Sequence, residues 1–135
     1  MKREDIWLDE KLGQIWELLF PETPKENNVL VKFKGKSLRR FGCIKKKKKD
    51  SIIEINSLFQ DERVPEYVID TTLAHELVHY MHGFNSPLPQ KYKHPHRGGI
   101  VDKELIKRGF GHNLNLEKIW AKNQWEKLFR VIKGL

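Results

Sequence analysis

The segment Thr71–Phe84, TTLAHELVHYMHGF, constrains the fold more than any other part of the chain. Pro65 stands where the first turn of a helix tolerates proline and Gly83 where a helix ends, so the spacing predicts one long helix between them. At about 100° per residue, mostly apolar side chains cover two sides of this helix, namely Tyr67, Thr71, Ala74, Val78 and Met81 on one and Ile69, Leu73 and Leu77 on the other. The remaining wedge contains Thr72, His75, Glu76 and His79, so little of the helix is expected to face water.

Ionisable side chains in a central helix are costly to bury unless they are paired or bind a metal ion. His75 and His79 are one helical turn apart, so both imidazoles can point at one ion beside the helix. Glu76 lies at the edge of the same wedge, where it can reach a metal-bound water without being a ligand, which is the position of a general base. The pattern His-Glu-x-x-His is the zincin signature, and it predicts a zinc site. The alternative is a pair of solvent-facing histidines beside a surface glutamate.

Catalytic zinc sites usually have a third protein ligand. His96 precedes an apolar stripe of Ile100, Leu105 and Ile106, so we expect it at the start of a helix that packs on the core. His94 precedes Pro95 and is expected in extended backbone. Glu104 suits a zincin whose third ligand is a glutamate. We favour His96 and keep His94 and Glu104 as alternatives. The other histidines considered are His112 and His82, of which His82 lies nearly one turn beyond His79 and too far along the helix axis.

The length and composition limit the class of protein. With 135 residues, of which 39% are hydrophobic, the chain is long enough for one domain with one core. It has no apolar run of about 20 residues, and its first residues, MKREDIWLDE, are charged, so we expect a cytoplasmic protein that does not engage a membrane. Cys43 is the only cysteine, which excludes an internal disulfide and a cysteine-rich zinc ribbon. We expect a monomer.

The net charge of +8 is unevenly distributed. Residues 29–50 contain ten Lys and Arg side chains and one Asp, and five of them form the run Lys45, Lys46, Lys47, Lys48 and Lys49. Such asymmetry is compatible with binding a polyanion such as DNA. The other interpretation is a solvated hairpin tip that protects a sheet edge. Both interpretations stay open from the sequence.

The periodicity predicts an α+β order. Residues 5–20 form an amphipathic helix, VLVKFKG a strand, and LRRFGCI and SIIEINSLF two further strands joined through KKKKKD. The long helix, a shorter helix over 100–108 and a last helix over 116–132 follow. The tryptophans are expected to pack in the core, although Trp125 lies off the apolar stripe of the last helix. The expected fold is thus a single zincin-like α+β domain with a small, three-stranded, partly antiparallel sheet.

Three segments together resemble the SprT-like (Spartan) zinc metalloprotease domain, namely GCIKKKKKDSIIEINSLF, VPEYVIDTTLAHELVHYMHG and HRGGIVDKELIKRG. That family has a strand ending in a helical turn, a helix reading T-L-x-H-E-x-x-H, and a downstream H-G-x-x-[FW]. The resemblance covers about residues 5–112. It implies that His75, His79 and His96 are the zinc ligands and Glu76 the catalytic base, with Ile100 at the apolar position four residues after His96.

The chain departs from the family pattern in two places. Arg97 stands where the family usually has glycine, and Gly98 and Gly99 follow it. The C-terminal zinc ribbon of many relatives is expected to be absent, with the helix over 116–132 in its place. We therefore expect one SprT-like metallopeptidase domain over residues 1–135.

The expected activity is zinc-dependent endopeptidase hydrolysis of protein or peptide substrates, with DNA-associated proteins as one substrate class. Two alternatives remain, which are a nucleic-acid-binding module with a structural zinc and a zincin of another branch that acts on soluble polypeptides. Tetrahedral intermediates need a donor to stabilise the oxyanion. The candidates for that donor are Tyr92, His94, Arg97 and His112.

Overall fold

In the computed structural model, which describes residues 2–135, helices pack against a small sheet. The order along the chain is α1 (Asp5–Leu19), β1 (Val29–Phe33), β2 (Gly42–Lys47), β3 (Asp50–Ile55), a 3₁₀ turn (Ser57–Gln60), α2 (Glu66–Met81), a 3₁₀ turn (Arg97–Gly99), α3 (Ile100–Lys107), α4 (Gly111–Trp120), a π-helical segment (Ala121–Trp125) and α5 (Glu126–Lys133). This order confirms the predicted mixture of helices and a small three-stranded sheet.

Strand β3 lies at the centre of the sheet, between β1 and β2. It runs parallel to β1, with Val29 opposite Ser51, and antiparallel to β2, with Lys47 opposite Asp50. One face of the sheet points to the core through Val31, Ile44 and Ile53, which are at most 8% exposed. Both β1 and β2 are therefore edge strands in the described part of the chain, and β2 is the edge that matters for the site.

The strand boundaries differ from the prediction on both sides of the lysine run. Lys45, Lys46 and Lys47 belong to β2, so only the last two lysines form the turn to β3. Residues 38–41 are not part of the strand, because the Asn56 side chain binds the carbonyls of Ser37 and Arg40. The strand predicted over 51–59 ends at Ile55.

Helix α2 is the central element of the core, because it packs against α1, β2, β3, α3 and α4. As predicted, it is buried on nearly every side. Gly42 at the start of β2 permits the close approach of the strand, since a Cβ atom at this position would lie 2.8 Å from Cγ2 of Thr72. The edge strand therefore lies directly beside the turn of α2 that precedes His75.

The last predicted helix begins earlier than expected, at Gly111, and is interrupted by the π-helical segment. A π-helical turn inserts an extra residue and rotates the side chains that follow it. Trp125, which lies off the stripe of a regular helix, is consequently 3% exposed. Its ring packs with Phe59 at 5.2 Å and with Trp120 at 5.4 Å between centroids. The predicted core position of the tryptophans thus holds for Trp125 as well.

None of the helices within residues 2–135 combines the length and the apolar character needed to cross a lipid bilayer.

Candidate metal centre

The structure brings three of the predicted site residues together at one end of a cleft. His75 and His79 are neighbours on α2, with ring centroids 4.9 Å apart. The ring of His96 lies 4.4 Å from that of His79, although 17 positions separate them in the sequence. His96 is placed there by the segment before the 3₁₀ turn at Arg97–Gly99, which leads into α3. The three imidazoles therefore form one cluster, with His79 in the middle.

Gly83 allows the chain to return to this cluster after α2. It has a positive φ of 80°, and a side chain there would collide with the backbone of Pro89. The following residue, Phe84, packs its ring 5.4 Å from His79 and 5.6 Å from His96. The helix-ending glycine and this aromatic contact together hold the loop against the histidines.

His79 is 1% exposed, and neither of its ring nitrogens has a hydrogen-bond partner. A buried polar group without a partner costs about 1 to 3 kcal/mol. Burial, together with the neighbouring rings of His75 and His96, lowers the pKa of His79 to about 3. Burial also lowers the pKa of His75. Both imidazoles are thus neutral at physiological pH, which is the form that binds a metal ion.

The rings lie close together and are steeply inclined to one another. The planes of His75 and His79 meet at 75°, and those of His79 and His96 at 55°. No three His, Cys, Asp or Glu side chains between positions 2 and 135 are spaced as a finished metal site. The three rings nevertheless lie together at one end of the cleft, and rotation about their side-chain torsions moves the ring nitrogens while the backbone stays in place. The donor set and the partnerless nitrogens of His79 fit a zinc ion.

Glu76 lies beside this cluster and is 4% exposed. Burial raises the pKa of its carboxyl to about 8, and the positive charge of Arg40 opposes the shift. A cation close to Glu76 would favour the ionised carboxylate in the same way. Glu76 also lines the cleft that contains the histidines. It is therefore placed to exchange a proton with a group bound there.

The two alternative third ligands lie elsewhere. Glu104 is held by Arg108 at 2.8 Å and faces His82, with 3.6 Å between its Oε1 and Nε2 of His82. His94 is exposed and does not line the cleft. Geometry therefore favours His96 over both.

The floor and the two sides of the cleft are formed by different parts of the chain. Helix α2 forms its floor, the segment 34–45 lines one side, and α3 and α4 line the other through Asp102, Leu114 and Glu117. Strand β2 is an edge of the sheet in the described part of the chain, and its residues 42–45 line this cleft. An unpaired strand edge is a surface to which an extended polypeptide can add as a further strand.

None of the four predicted oxyanion donors lines the cleft. Tyr92 packs on His82, with 4.9 Å between the ring centroids. The basic side chains that do line it include Lys34, Arg39, Arg40, Lys45 and Lys118. Sequence reasoning missed Arg40 and Glu117 because neither belongs to a motif and both lie more than 30 positions from Glu76.

Comparison with protein-family models, with curated proteins and with solved structures finds no match to this chain. The resemblance to the SprT-like domain rests on the motifs in the sequence.

Proposed function

We propose that the protein is a zinc-dependent endopeptidase of the zincin type, with His75, His79 and His96 as ligands and Glu76 as general base. The main support is the convergence of the three imidazoles with a buried glutamate in one cleft. A resemblance in three sequence segments points to the SprT-like branch. A structural zinc site has no need for a buried carboxyl beside the ligands, so the arrangement favours catalysis.

A bound zinc ion would lower the pKa of a water molecule and polarise the scissile carbonyl. The protein's own contribution begins with Glu76, which takes the proton from the attacking water and later passes it to the leaving amine. Because Glu76 is only 4% exposed, bulk water does not compete with the attacking water for hydrogen bonds to its carboxylate. The neutral imidazoles of His75 and His79 supply lone pairs, and the edge of β2 aligns the substrate backbone.

Replacing Glu76 by Gln tests this proposal directly. The variant retains the three imidazoles, so zinc content measured by elemental analysis should equal that of the wild type. Hydrolysis of a denatured protein such as casein should fall by at least about 10²-fold, the usual contribution of a general base. Wild-type protein that binds zinc and cleaves no polypeptide would rule out the peptidase and favour a structural zinc.

DNA-associated proteins are the substrate class that the charge distribution favours. Lys45, Lys46 and Lys47 extend along the exposed edge strand β2, next to the cleft. Part of this charge is already compensated, because Lys45 forms an ion pair of 2.9 Å with Glu54, which also lies near Lys32 and Lys34. The remaining lysines of the run form no ion pair within residues 2–135.

Changing Lys46, Lys47, Lys48 and Lys49 to serine tests the DNA interpretation. Binding to a single-stranded oligonucleotide should weaken and become less dependent on salt. In a plot of the logarithm of the binding constant against the logarithm of the salt concentration, the magnitude of the slope should decrease by about 0.7 for each phosphate that the variant no longer neutralises. Hydrolysis of free casein should stay unchanged. If the wild-type protein does not bind the oligonucleotide even at low salt, the DNA interpretation is wrong and the peptidase proposal is unaffected.

A further inference from the structure

The charges that line the cleft are only partly neutralised. On the side of the sheet, Lys34 and Lys45 approach Glu54 at 3.8 and 2.9 Å. On the side of the helices, Asp102 pairs with Lys118 at 2.6 Å. Besides Glu76 on the floor of the cleft, the charged side chains that line it without forming an ion pair in residues 2–135 are Arg39 and Arg40 on one wall and Glu117 on the other.

Glu117 is a half-buried carboxyl that forms no ion pair with any residue of the described chain, 2–135. It lies on α4, one turn before Ala121, and both residues line the cleft. Burial raises the pKa of its carboxyl, an effect that the nearby carboxylate of Asp102 increases and the charge of Lys118 opposes. A cationic group bound in the cleft would therefore compensate the half-buried negative charge of Glu117, which has no ion-pair partner in the described chain.

The two arginines lie on a loop whose backbone is held by side-chain hydrogen bonds. Side-chain Nδ2 of Asn56, a residue 2% exposed, donates to the carbonyls of Ser37 and Arg40 at 2.5 and 3.0 Å. The Ser37 hydroxyl accepts from the backbone N–H groups of Arg39 and Arg40 at 3.2 and 3.1 Å.

The C-terminal part of the chain fixes the same loop from the other side. Nε1 of Trp125 donates to the carbonyl of Leu38 at 2.7 Å. The ring of Phe41 packs against Phe59 and Trp125, at 5.0 and 5.9 Å between centroids. A surface loop that only had to connect two strands would not need five side-chain hydrogen bonds and an aromatic cluster to fix its backbone.

We infer that this cleft selects polypeptides by a divided charge pattern, in which Arg39 and Arg40 bind an acidic stretch on one side of the scissile bond and Glu117 binds a basic residue on the other. The inference rests on the proposed peptidase function and names its substrate class. Arg40 and Glu76 line the same cleft, so the acidic stretch is bound near the reacting bond. A polypeptide fits the two opposed charges, whereas a nucleic acid offers only negative ones to Glu117.

Binding of fluorescein-labelled peptides to zinc-loaded Glu76→Gln protein tests the inference without requiring cleavage. One peptide has a pair of glutamates before and a pair of lysines after an Ala-Leu centre, the second has the reverse order, and the third has glutamines in place of both. One of the two orders should bind about tenfold more tightly than the other, with the neutral peptide between them.

Charge exchange in the cleft should reverse this preference. Arg40→Glu combined with Glu117→Lys should favour the opposite order by a similar factor, while Arg40→Gln and Glu117→Gln should each reduce the preference about threefold. Arg130→Gln on α5 removes an exposed arginine that does not line the cleft and is the matched control, for which no change is expected. Circular dichroism of each variant verifies the fold.

The outcomes separate the two proposals. Equal affinity for both orders in well-folded protein overturns the divided-charge inference, whether or not the wild type cleaves peptides. A charge preference in binding together with no cleavage by zinc-loaded wild type overturns the peptidase and leaves the selective cleft. If Arg40→Gln weakens binding of a single-stranded oligonucleotide and leaves peptide preference unchanged, the arginines serve nucleic acid and the inference is wrong.

Discussion

His79 and His82 lie close together at the end of the same helix, and both are buried, but their surroundings differ. The rings of His75 and His96 pack against His79 at the end of an open cleft. Around His82 stand Tyr92 and a carboxylate, Glu104. The nitrogens of both histidines lack a hydrogen-bond partner.

The two regions differ in the chemistry of the side chains that surround each histidine. Glu104 is held by Arg108, which also donates to the carbonyl of Leu19 at 2.7 Å and pairs with Glu22 at 2.5 Å. That network ties α3 to the end of α1 and to α2, so it stabilises the fold. Imidazoles packed against further imidazoles repel one another when protonated and gain from a shared cation. Burial of a histidine is therefore no sign of a metal site unless its neighbours are also ligands.

The strongest test of the comparison replaces each histidine in turn. His79→Ala should lower zinc affinity by at least about 10³-fold, because loss of a direct ligand exceeds the 10- to 100-fold cost of losing an outer-shell partner. His82→Ala should change zinc affinity by less than about tenfold. Competition with a chromophoric chelator gives both values. Equal losses in the two variants would mean that the distinction between the regions is mistaken.

The next test concerns the third ligand and again compares the two regions. His96→Ala should lower zinc affinity about 10²-fold or more, while Glu104→Gln and His94→Ala should leave it within a few-fold. The physical reason is position, since His96 contacts His79 and Glu104 is held by Arg108. Loss of zinc in Glu104→Gln with retention in His96→Ala would place the protein in a glutamate-ligand branch and contradict the SprT-like assignment.

Arg108→Met should reveal the structural role of the second region. Removing the guanidinium leaves Glu104, whose side chain is 11% exposed, without its partner, and should lower the free energy of unfolding by about 1 to 3 kcal/mol. Zinc affinity of the folded protein should remain unchanged. Urea denaturation at pH 7 in the presence of chelator measures the loss, and Arg130→Met provides the control on an exposed ion pair of 3.8 Å. A variant as stable as the wild type would show that the network contributes little.

The smallest expected effect concerns pH. Burial lowers the pKa of His82 below 6.5, so the unfolded chain binds a proton at a higher pH than the folded protein does. Stability of the zinc-free protein should therefore fall as the pH falls below 6.5, and His82→Gln should reduce this slope by at most about 1.4 kcal/mol per pH unit, the limit for one proton. Urea denaturation at several pH values above about 5 measures both slopes. Identical slopes would show that His82 titrates alike in the folded and the unfolded states.

The parts of the site that can be predicted from the sequence are the local ones. Helical geometry fixes His75, Glu76 and His79 relative to one another, so their spacing alone is enough to place them. His96 is also predictable, because it immediately precedes a short helix. Its contact with His79 depends on the turn at Gly83, which the sequence marks only as a helix end.

The remaining parts depend on contacts that no local pattern encodes. Arg40 reaches the cleft because Asn56 and Trp125 hold its loop, and these residues are 16 and 85 positions away. The π-helical segment places Trp125 in the core against the regular helical period, so a regular helical wheel assigns it to the wrong side. The turn after β2 is misplaced in the prediction because a run of lysines has no alternation of polar and apolar residues to mark where the strand ends.

The attachment of the loop to Trp125 also orders the events of folding. The two strands β2 and β3 are joined by a two-residue turn, and the histidine cluster spans only 21 positions, from His75 to His96, so both can form early. The hydrogen bond from Trp125 to Leu38 closes a span of 87 residues, and long closures form late because they cost more chain entropy. From these separations we expect the histidine cluster to form before Trp125 fixes the arginine loop. On the proposed function, a chain at that stage would have the three proposed ligands together while the arginines proposed to select the substrate are not yet held in place.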